Sequence, residues 1–190
     1  RKKIQVLHLV QEHDGPCEIG TLFLSPDYRK SGNGSLLSKS RFLFMAEHPH
    51  TFASPVISEL RGVSDQAGRA PFWEAVGRHF FDIDFPKADY LSVRNKQFIA
   101  ELMSSHPIYI PTLPEKARTV ICRVHPRTEP AVKILEAEGF TFSNRVDIFD
   151  AGPIFSCPLE RVKTARQSTK AQTSDIGDQT ISSEPFLITN

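Results

Sequence analysis

The sequence has few of the features that mark disulfide-rich, zinc-binding or membrane proteins. Its three cysteines, Cys17, Cys122 and Cys157, are an odd number without CxxC spacing, which fits neither a disulfide framework nor a zinc knuckle. The longest apolar run extends only from Phe42 to Ala46, far short of the roughly 20 residues that cross a bilayer. We therefore expect a cytoplasmic protein in a reducing compartment, without membrane attachment.

The sequence also lacks an excess of charge of either sign. Its 23 lysines and arginines against 22 aspartates and glutamates leave a formal net charge of +1. Without a strong electrostatic field, neither nucleic acid nor an anionic membrane is an expected partner. The histidines are scattered at spacings that match no zinc site, so we expect no metal.

What the sequence does contain is enough apolar material for one folded core. Hydrophobic residues make up 39% of the 190 residues, and strand-like runs alternate with amphipathic stretches, which predicts an α/β fold. From Thr164 to Asn190 the composition turns polar, and such a segment cannot bury enough surface to offset its ordering. We expect a folded domain over residues 1–163 and a mostly disordered tail over residues 164–190.

Local patterns predict the individual elements. The predicted strands are Glu18–Leu24, Pro55–Arg61, Ile108–Ile110 and Phe140–Phe149. The predicted helices are Ser35–Ala46, Pro71–His79, Ile99–Met103 and a last one with Thr128 as its N-cap and Gly139 as its stop. Helical spacing assigns these residues to buried faces: Leu36, Leu37, Leu43 and Phe44 in the first helix; Phe72, Val76 and Phe80 in the second; Ala131, Ile134 and Leu135 in the last.

One short motif lies between the first predicted strand and the first predicted helix. The run Arg29-Lys30-Ser31-Gly32-Asn33-Gly34 fits the pattern RxxGxG. A loop that opens a helix presents unpaired backbone N–H groups and the positive end of the helix dipole to an anion, and glycines carry no Cβ to keep the anion away. A plain strand-to-helix turn would use the same glycines for their backbone freedom. The motif by itself leaves both interpretations open.

Other phosphate-binding motifs are missing. Residues Gly15 to Thr21 read GxxxxGT but lack the lysine of a Walker motif, and no GxGxxG occurs. ATP and dinucleotides are therefore not expected ligands.

Longer segments carry a resemblance to a known family. They are Leu22–Gly34, Leu37–Phe42, Leu60–Val63, Pro71–Trp73, Phe98–Met103, His106–Tyr109, Val124–Pro126 and Val146–Asp150. In this order, from about Glu18 to Arg166, they resemble arginine N-succinyltransferases, a family that includes paired arginine/ornithine succinyltransferase subunits. The resemblance implies a GNAT-like (acyl-CoA N-acyltransferase) mixed sheet with helices on both faces. It also implies transfer of succinyl from succinyl-CoA to the α-amino group of L-arginine in arginine catabolism.

The resemblance further implies the site residues and the partners. His125 would be the proton donor, and the succinyl-CoA contacts would be Leu22, Arg29, Gly32, Asn33 and Gly34, with Leu22 acting through its strand backbone. Without the resemblance, a histidine before a proline is a structural loop residue, and Leu22 is a core strand residue. Succinyl-CoA is a co-substrate, and no permanently bound cofactor is expected. A homo- or hetero-oligomer with a related subunit is expected.

Substrate recognition leaves alternatives open. A guanidinium requires a planar carboxylate partner, for which Asp147 and Asp150 are candidates, and the distal carboxylate of succinate requires an arginine, for which Arg61 and Arg78 are candidates. Each of them also fits a solvated charge or a structural ion pair.

Two other functions and the start of the chain also leave alternatives open. An acetyltransferase that acts on another amine and a non-catalytic CoA-binding subunit remain alternatives, as does ornithine in place of arginine. The chain begins at Arg1 without methionine, so we expect an N-terminally truncated sheet with an unpaired strand edge near Ile4 to Val10.

Overall fold

A computed structural model describes residues 3–10, 15–94 and 97–169 and contains a four-stranded mixed sheet. The strands of the chain are β1 (Val6–Leu7), β2 (Cys17–Glu18), β3 (Val56–Glu59), β4 (Ile108–Tyr109), β5 (Thr141–Val146) and β6 (Pro153–Cys157). The sheet has the order β2-β3-β6-β5, with β2 parallel to β3 and the other neighbours antiparallel. Strands β1 and β4 form a separate antiparallel pair.

Eight α-helices and several 3₁₀ turns connect the described strands. The helices are α1 (Asn33–Glu47), α2 (Pro71–Ala75), α3 (Gly77–Phe81), α4 (Phe85–Arg94), α5 (Gln97–Leu102), α6 (Glu115–Arg118), α7 (Glu129–Ala137) and α8 (Lys163–Gln167). The 3₁₀ turns are Pro26–Tyr28, Ile110–Thr112, Pro126–Thr128 and Leu159–Arg161. The mixed α/β architecture confirms the predicted fold class.

Two hydrophobic cores hold the domain together. The first lies where α1 and α7 pack on the sheet, with Phe42 of α1 against Phe140 at a ring-centroid distance of 5.6 Å. The second centres on Trp73, which is fully buried and stacks on Phe81 at 5.3 Å and on Phe149 at 5.4 Å. The indole of Trp73 donates to the carbonyl of Ile83 at 3.0 Å, so its one polar atom is satisfied.

The strands are partly as expected. The prediction of a strand over Pro55–Arg61 is confirmed by β3, but the predicted strand Glu18–Leu24 is wrong beyond its first residues. Ile19 still donates to the carbonyl of Ile57 at 2.9 Å, and then Thr21 adopts a φ of 49°, which turns the chain out of the extended conformation. A local apolar run indicated a strand, but it does not reveal where β2 loses its partner.

The two later predicted strands also differ in extent. The prediction at Ile108–Ile110 is confirmed as β4, which ends before the 3₁₀ turn at Ile110–Thr112. The prediction over Phe140–Phe149 is confirmed only as β5, whose pairing with β6 shifts register between Phe142 and Arg145. Strand β6 was not predicted.

The predicted buried face of α1 is wrong. The residues that α1 buries are Ser38, Phe42 and Met45. The predicted ones lie elsewhere, with Leu36, Leu37 and Phe44 exposed and Leu43 only half-buried. This helix is apolar around much of its circumference, so spacing alone does not identify the face that packs on the sheet.

The second predicted helix, Pro71–His79, is two helices. The backbone leaves the helical region at Val76, with φ −127° and ψ −73°, so α2 ends and α3 begins there. Phe72 and Val76 are buried as predicted, but the break changes the register and exposes Phe80, whereas Phe81 is buried in its place. The predicted helix at Ile99–Met103 is confirmed by α5, and α4 was not predicted.

The last predicted helix is confirmed as α7. Thr128 occupies its N-cap position without a side-chain hydrogen bond, and Gly139 follows it with a φ of 97°. Ile134 and Leu135 are at least half-buried, but Ala131 is exposed and Val132 packs against the core instead.

The predicted start of the tail needs correction, and the predicted strand edge near the N-terminus is paired on one side. The tail predicted from Thr164 begins too early, because α8 is helical over Lys163–Gln167 and packs against α1. The rest of the predicted tail, from Lys170, lies outside the described residues. The strand edge predicted near Ile4 to Val10 is paired on one side, where Val6 lies opposite Tyr109 of β4. Within the described residues β1 and β4 form a two-stranded sheet, so the other edge of β1 is open, and Ile4 and Val10 are exposed.

The close approach of three backbone segments at Gly152 gives a test of this packing. A Cβ on Gly152 would overlap the carbonyl oxygen of Leu60 and lie 2.6 Å from the amide nitrogen of Gly62. We expect Gly152→Ala to lower the free energy of unfolding by about 1–3 kcal/mol or more, because backbone atoms cannot move aside as a flexible side chain can. Urea denaturation measures this. Gly15→Ala is the control, since no atom of the described residues lies within 4 Å of its Cβ; equal stability of the two variants would contradict the packing described.

Candidate active site

The RxxGxG segment forms a tight turn that opens α1. After the 3₁₀ turn at Pro26–Tyr28, Ser31 and Gly32 both adopt left-handed conformations, with φ of 53° and 80°, and α1 begins at the next residue. Two side chains of the motif hold the turn: Arg29 Nε donates to the carbonyl of Leu24 at 2.8 Å, and Asn33 Nδ2 donates to the carbonyl of Tyr28 at 3.0 Å. Arg29 and Asn33 therefore shape the loop.

The turn leaves backbone amides available at the start of α1. The amide of Asn33 donates to Lys30 at 3.1 Å, but within the described residues no acceptor pairs with the amides of Gly32, Gly34 and Ser35. A Cβ on Gly34 would meet nothing closer than a leucine methyl at 3.9 Å, so the space beside it is open. Open amides at a helix N-terminus are an anion-binding arrangement.

Arg29 and Leu22 flank this turn. The guanidinium of Arg29 lies 6.0 Å from the ring centroid of Phe23, and its terminal nitrogens make no hydrogen bond to the described part of the chain. Leu22 is 42% exposed in an irregular segment, so the prediction that it lies in a strand is wrong. Its amide has no hydrogen-bond partner among the described residues.

His125 lies at a junction between the end of β3 and the start of the α7 region. Its amide donates to the carbonyl of Arg61 at 2.8 Å, and the neighbouring Val124 bridges to Gly62. The Nδ1 atom of His125 accepts the amide of Arg127 at 3.1 Å. A nitrogen that accepts a hydrogen bond carries no proton, so the neutral ring holds its proton on Nε2.

The loop and His125 lie at different levels along α7. The N-terminal turn of α1 approaches α7 at Ile134, since a Cβ on Gly34 would lie 4.0 Å from that side chain. Ile134 is five residues into α7, or about 8 Å along its axis, whereas His125 precedes the helix. The structure therefore separates the anion-binding turn from the histidine, which suits an extended ligand.

A cavity of about 310 Å³ lies next to the His125 junction. Its lining residues are Glu59, Leu60, Arg61, Phe85, Asp89, Asp147, Phe149 and Asp150. Of the four substrate-binding candidates, three are therefore together. The fourth, Arg78, does not line the cavity and instead pairs with Glu74 at 3.1 Å and Asp84 at 3.0 Å.

Asp150 is the anchor of the cavity wall. It is only 5% exposed, and its two carboxylate oxygens accept the amides of Gly62 at 2.7 Å and Gly152 at 2.8 Å. Burial raises the pKa of this carboxyl, and the hydrogen bonds from Gly152 and Gly62 oppose that rise.

Asp147 shares the wall with Asp150. Its Oδ1 accepts the amides of Phe149 at 2.8 Å and Asp150 at 3.0 Å. Burial raises its pKa to about 7, and the nearby charges of Asp150 and Glu59 add to the rise. A carboxyl group in this state exchanges its proton near neutral pH.

The sequence analysis missed the part of the wall that comes from α4. Phe85 and Asp89 line the cavity one helical turn apart, and neither was a candidate. The i, i+4 spacing of these two residues, which places them on one face of a helix, was the feature of the sequence that could have identified them. Within the described ranges no group of three or more histidine, cysteine, aspartate or glutamate side chains is arranged to hold a metal ion, and no helix there has the length and apolar character needed to cross a bilayer.

The fold and the turn define the class of protein. A solved structure of arginine/ornithine succinyltransferase subunit AI from Pseudomonas aeruginosa is similar, with a TM-score of 0.76 and 37% sequence identity over 87% of this chain and 48% of that one. The mixed sheet with its glycine-containing turn at the start of α1 is thus a GNAT-like fold.

Sequence relatives identify the family within that class. The family model described as arginine N-succinyltransferase beta subunit matches residues 1–164. An arginine N-succinyltransferase of Yersinia pestis (strain Pestoides F) is 52% identical over 170 residues, which is 89% of this chain and 49% of the relative. An arginine N-succinyltransferase subunit beta of Pseudomonas aeruginosa is 47% identical over 190 residues, which is 100% of this chain and 56% of the relative. The chain belongs to the arginine N-succinyltransferase family and spans about half the length of the curated relatives it matches.

The raised pKa of Asp147 predicts a dependence of stability on pH. Because this pKa is about 7 in the folded protein against 3.8 for the unperturbed group, the folded state holds the proton more tightly. Its contribution to the free energy of unfolding therefore falls as pH rises from about 4 to 7, by about 1.4 kcal/mol for each tenfold difference in proton affinity. Asp147→Asn keeps the acceptor oxygen but cannot ionise, so it should gain stability relative to the wild type, by about 1 kcal/mol or more, between about pH 5 and pH 8.

Urea denaturation at both pH values measures this difference. Asp82→Asn is the control, because Asp82 is exposed and has the left-handed backbone that asparagine also accepts. A stability difference between Asp147→Asn and the wild type that is equal at both pH values would contradict a raised pKa at Asp147.

Proposed function

We propose that this chain takes part in transferring a succinyl group from succinyl-CoA to the α-amino group of L-arginine, as a cytoplasmic step of arginine catabolism. The observation that carries this proposal is the row of open amides at Gly32, Gly34 and Ser35 behind two left-handed residues. The names of the relatives favour succinyl transfer over the acetyltransferase and the non-catalytic alternatives. The word "subunit" in the names of some relatives supports an assembly with a related subunit.

In this proposal the turn holds the pyrophosphate of succinyl-CoA. The amides of Gly32, Gly34 and Ser35 donate to phosphate oxygens, and the positive end of the α1 dipole adds to the attraction. Arg29 supplies its terminal nitrogens from the edge of the turn, while its Nε remains bound to Leu24. The pantetheine arm of succinyl-CoA then runs alongside α7, from the position of Ile134 towards His125.

The chemical step moves an acyl group from sulfur to nitrogen. The neutral α-amine attacks the thioester carbonyl, a C–N bond forms, and the carbonyl oxygen becomes an oxyanion to which the open amide of Leu22 donates. The C–S bond then breaks, and the departing thiolate of CoA takes a proton from His125. The amine loses one proton to the surroundings as the amide forms, so the products are N2-succinyl-L-arginine and CoA.

The hydrogen bond at Nδ1 leaves Nε2 as the atom of His125 that is free to face the sulfur. Donation to the thiolate requires the imidazolium, in which Nδ1 also carries a proton, so in that form the amide of Arg127 gives up Nδ1 as its acceptor and the ring returns to its neutral form as the thiol forms. The amide bond from His125 to Arg61 fixes the backbone beside the cavity.

The role of Gly34 in CoA binding predicts the effect of filling the space beside its amide. Gly34→Val should weaken CoA binding by about tenfold or more, because a branched side chain blocks the approach of a phosphate group. The fold should survive, since the added Cβ would contact only Leu24 and Ile134 at about van der Waals distance. Isothermal calorimetry with CoA measures the affinity.

The matched control is Gly15→Val, which adds the same side chain at a site with no atom within 4 Å. Equal CoA affinity of the Gly34 variant and the control would remove the turn as the pyrophosphate site.

The role of His125 as the proton donor predicts a loss of turnover. His125→Asn should lower kcat by about 10² to 10⁴ with little change in KM, because the proton is needed only in the transition state. Asparagine can accept the amide of Arg127 and so keep this hydrogen bond, which separates catalysis from local structure. Steady-state kinetics measure both parameters, and near-normal kcat in His125→Asn would return this residue to a structural role.

A further inference from the structure

The cavity beside His125 carries an excess of negative charge. Four of its lining side chains are carboxylic acids, and Arg61 is the only basic residue among them. The ion pairs of the described residues are Arg69–Asp65, Arg78–Glu74 and Arg78–Asp84, so Asp89, Asp147 and Asp150 have no basic partner within 4 Å there. Grouped carboxylates around a cavity are unfavourable unless protons or a cation compensate them.

The carboxylates of the cavity have different roles. Both carboxylate oxygens of Asp150 accept hydrogen bonds from backbone amides, so the role of Asp150 is structural. Asp147 uses Oδ1 for two amides, and its carboxyl also shares a hydrogen bond with the carboxyl of Asp150. Asp89 is exposed on α4, and its carboxylate makes no hydrogen bond or ion pair to the described residues. A carboxylate offers about four acceptor positions, so Asp147 retains capacity for a ligand and Asp89 is fully available to one.

Two aromatic rings, Leu60 and one arginine complete the lining. Phe85 and Phe149 contribute from α4 and from the turn between β5 and β6. A guanidinium is a planar, weakly hydrated cation that stacks on aromatic rings and donates two parallel hydrogen bonds to a carboxylate, whereas an ammonium is a compact, strongly hydrated charge. Flat apolar walls together with carboxylates therefore suit a guanidinium better than an ammonium. Arg61 supplies the opposite charge, which suits a carboxylate on the same ligand.

The cavity also lies next to the segment that carries the proposed proton donor. Arg61 lines it, and the carbonyl of this residue accepts the amide of His125 at 2.8 Å. A ligand whose side chain lies in the cavity therefore has its other end beside the segment that carries His125.

We propose that this cavity binds the guanidinium side chain of the amine substrate, with Asp147 and Asp89 as its carboxylate partners and Phe85 and Phe149 as its aromatic lining. The proposal rests on the proposed function, because it assigns the place where that reaction holds its acceptor. It makes Asp147 and Asp89 determinants of specificity for a cationic, planar side-chain terminus.

The test compares L-arginine with L-citrulline, in which a neutral urea group replaces the guanidinium at nearly the same size. The full-length enzyme is measured as wild type, Asp89→Asn, Asp147→Asn and the control Asp82→Asn, whose side chain lies outside the cavity lining. We expect the wild type and the control to prefer L-arginine strongly. In each cavity variant the KM for L-arginine should rise by about 10- to 100-fold, the effect of losing one charged hydrogen-bond partner, with the KM for L-citrulline and for succinyl-CoA nearly unchanged.

The outcomes distinguish this proposal from the proposed function. Calorimetry that shows L-arginine binding weakened by Asp89→Asn, in an enzyme without succinyl transfer, would support the cavity and overturn the reaction. Succinyl transfer with unchanged preference for L-arginine over L-citrulline in both cavity variants would overturn the cavity and leave the reaction standing. Neither binding nor transfer of L-arginine by the wild type would overturn both. Asp89→Asn keeps the test informative if Asp147→Asn does not fold, since Asp89 is exposed.

Discussion

The buried carboxylate of Asp150 ties together the segments on which the site depends. It accepts the amide of Gly62 just after β3 and the amide of Gly152 just before β6. Gly62 in turn bridges to Val124, and this bridge places His125 beside Arg61. A Cβ at either glycine would collide with Asp150. The backbone segments at Gly62, Gly152 and Asp150 therefore approach this closely only because both of the first two positions are glycine. One side chain thereby fixes the end of β3, the β5–β6 turn and the segment of the proposed proton donor.

The turn at the start of α1 is held together by more local interactions. Its shape depends on two successive left-handed residues and on two side chains, Arg29 and Asn33, that reach back to carbonyl oxygens five residues earlier. The turn approaches α7 where Gly34 lies near Ile134. The segments held together by Asp150 lie beyond the N-terminal end of that helix. The proposed substrate, succinyl-CoA, would need such a separation, because its phosphates and its thioester lie at opposite ends of a flexible arm.

The features that were predicted correctly from the sequence depend on interactions between residues that are close together in the chain. The RxxGxG turn, the helix that it opens and the stop at Gly139 depend on neighbours a few residues away, and all three were predicted correctly. The face of α1 and the break at Val76 depend on tertiary packing, which local spacing does not contain. The break is coupled to the approach of Gly77 to the ring of Trp73, where a Cβ would overlap the indole.

The cavity could be predicted only in part from the sequence, because the residues that form it are far apart in the chain. Asp147, Asp150 and Arg61 were candidates on chemical grounds, but only the fold separates them from Arg78. The bond between Gly62 and Asp150 spans 88 residues of chain, and no local pattern predicts that pairing. The contribution of α4, with Phe85 and Asp89, escaped prediction because that helix was not recognised.

The central claim is that succinyl-CoA lies across this face with its pyrophosphate at the start of α1 and its thioester near His125. A crystal structure of the full-length enzyme with bound CoA tests it most directly. The account predicts pyrophosphate oxygens within hydrogen-bond distance, about 2.7–3.2 Å, of the amide nitrogens of Gly32, Gly34 and Ser35, and the CoA sulfur on the side of α7 that carries His125. Pyrophosphate bound away from these amides, with the α1 turn unoccupied, would contradict it.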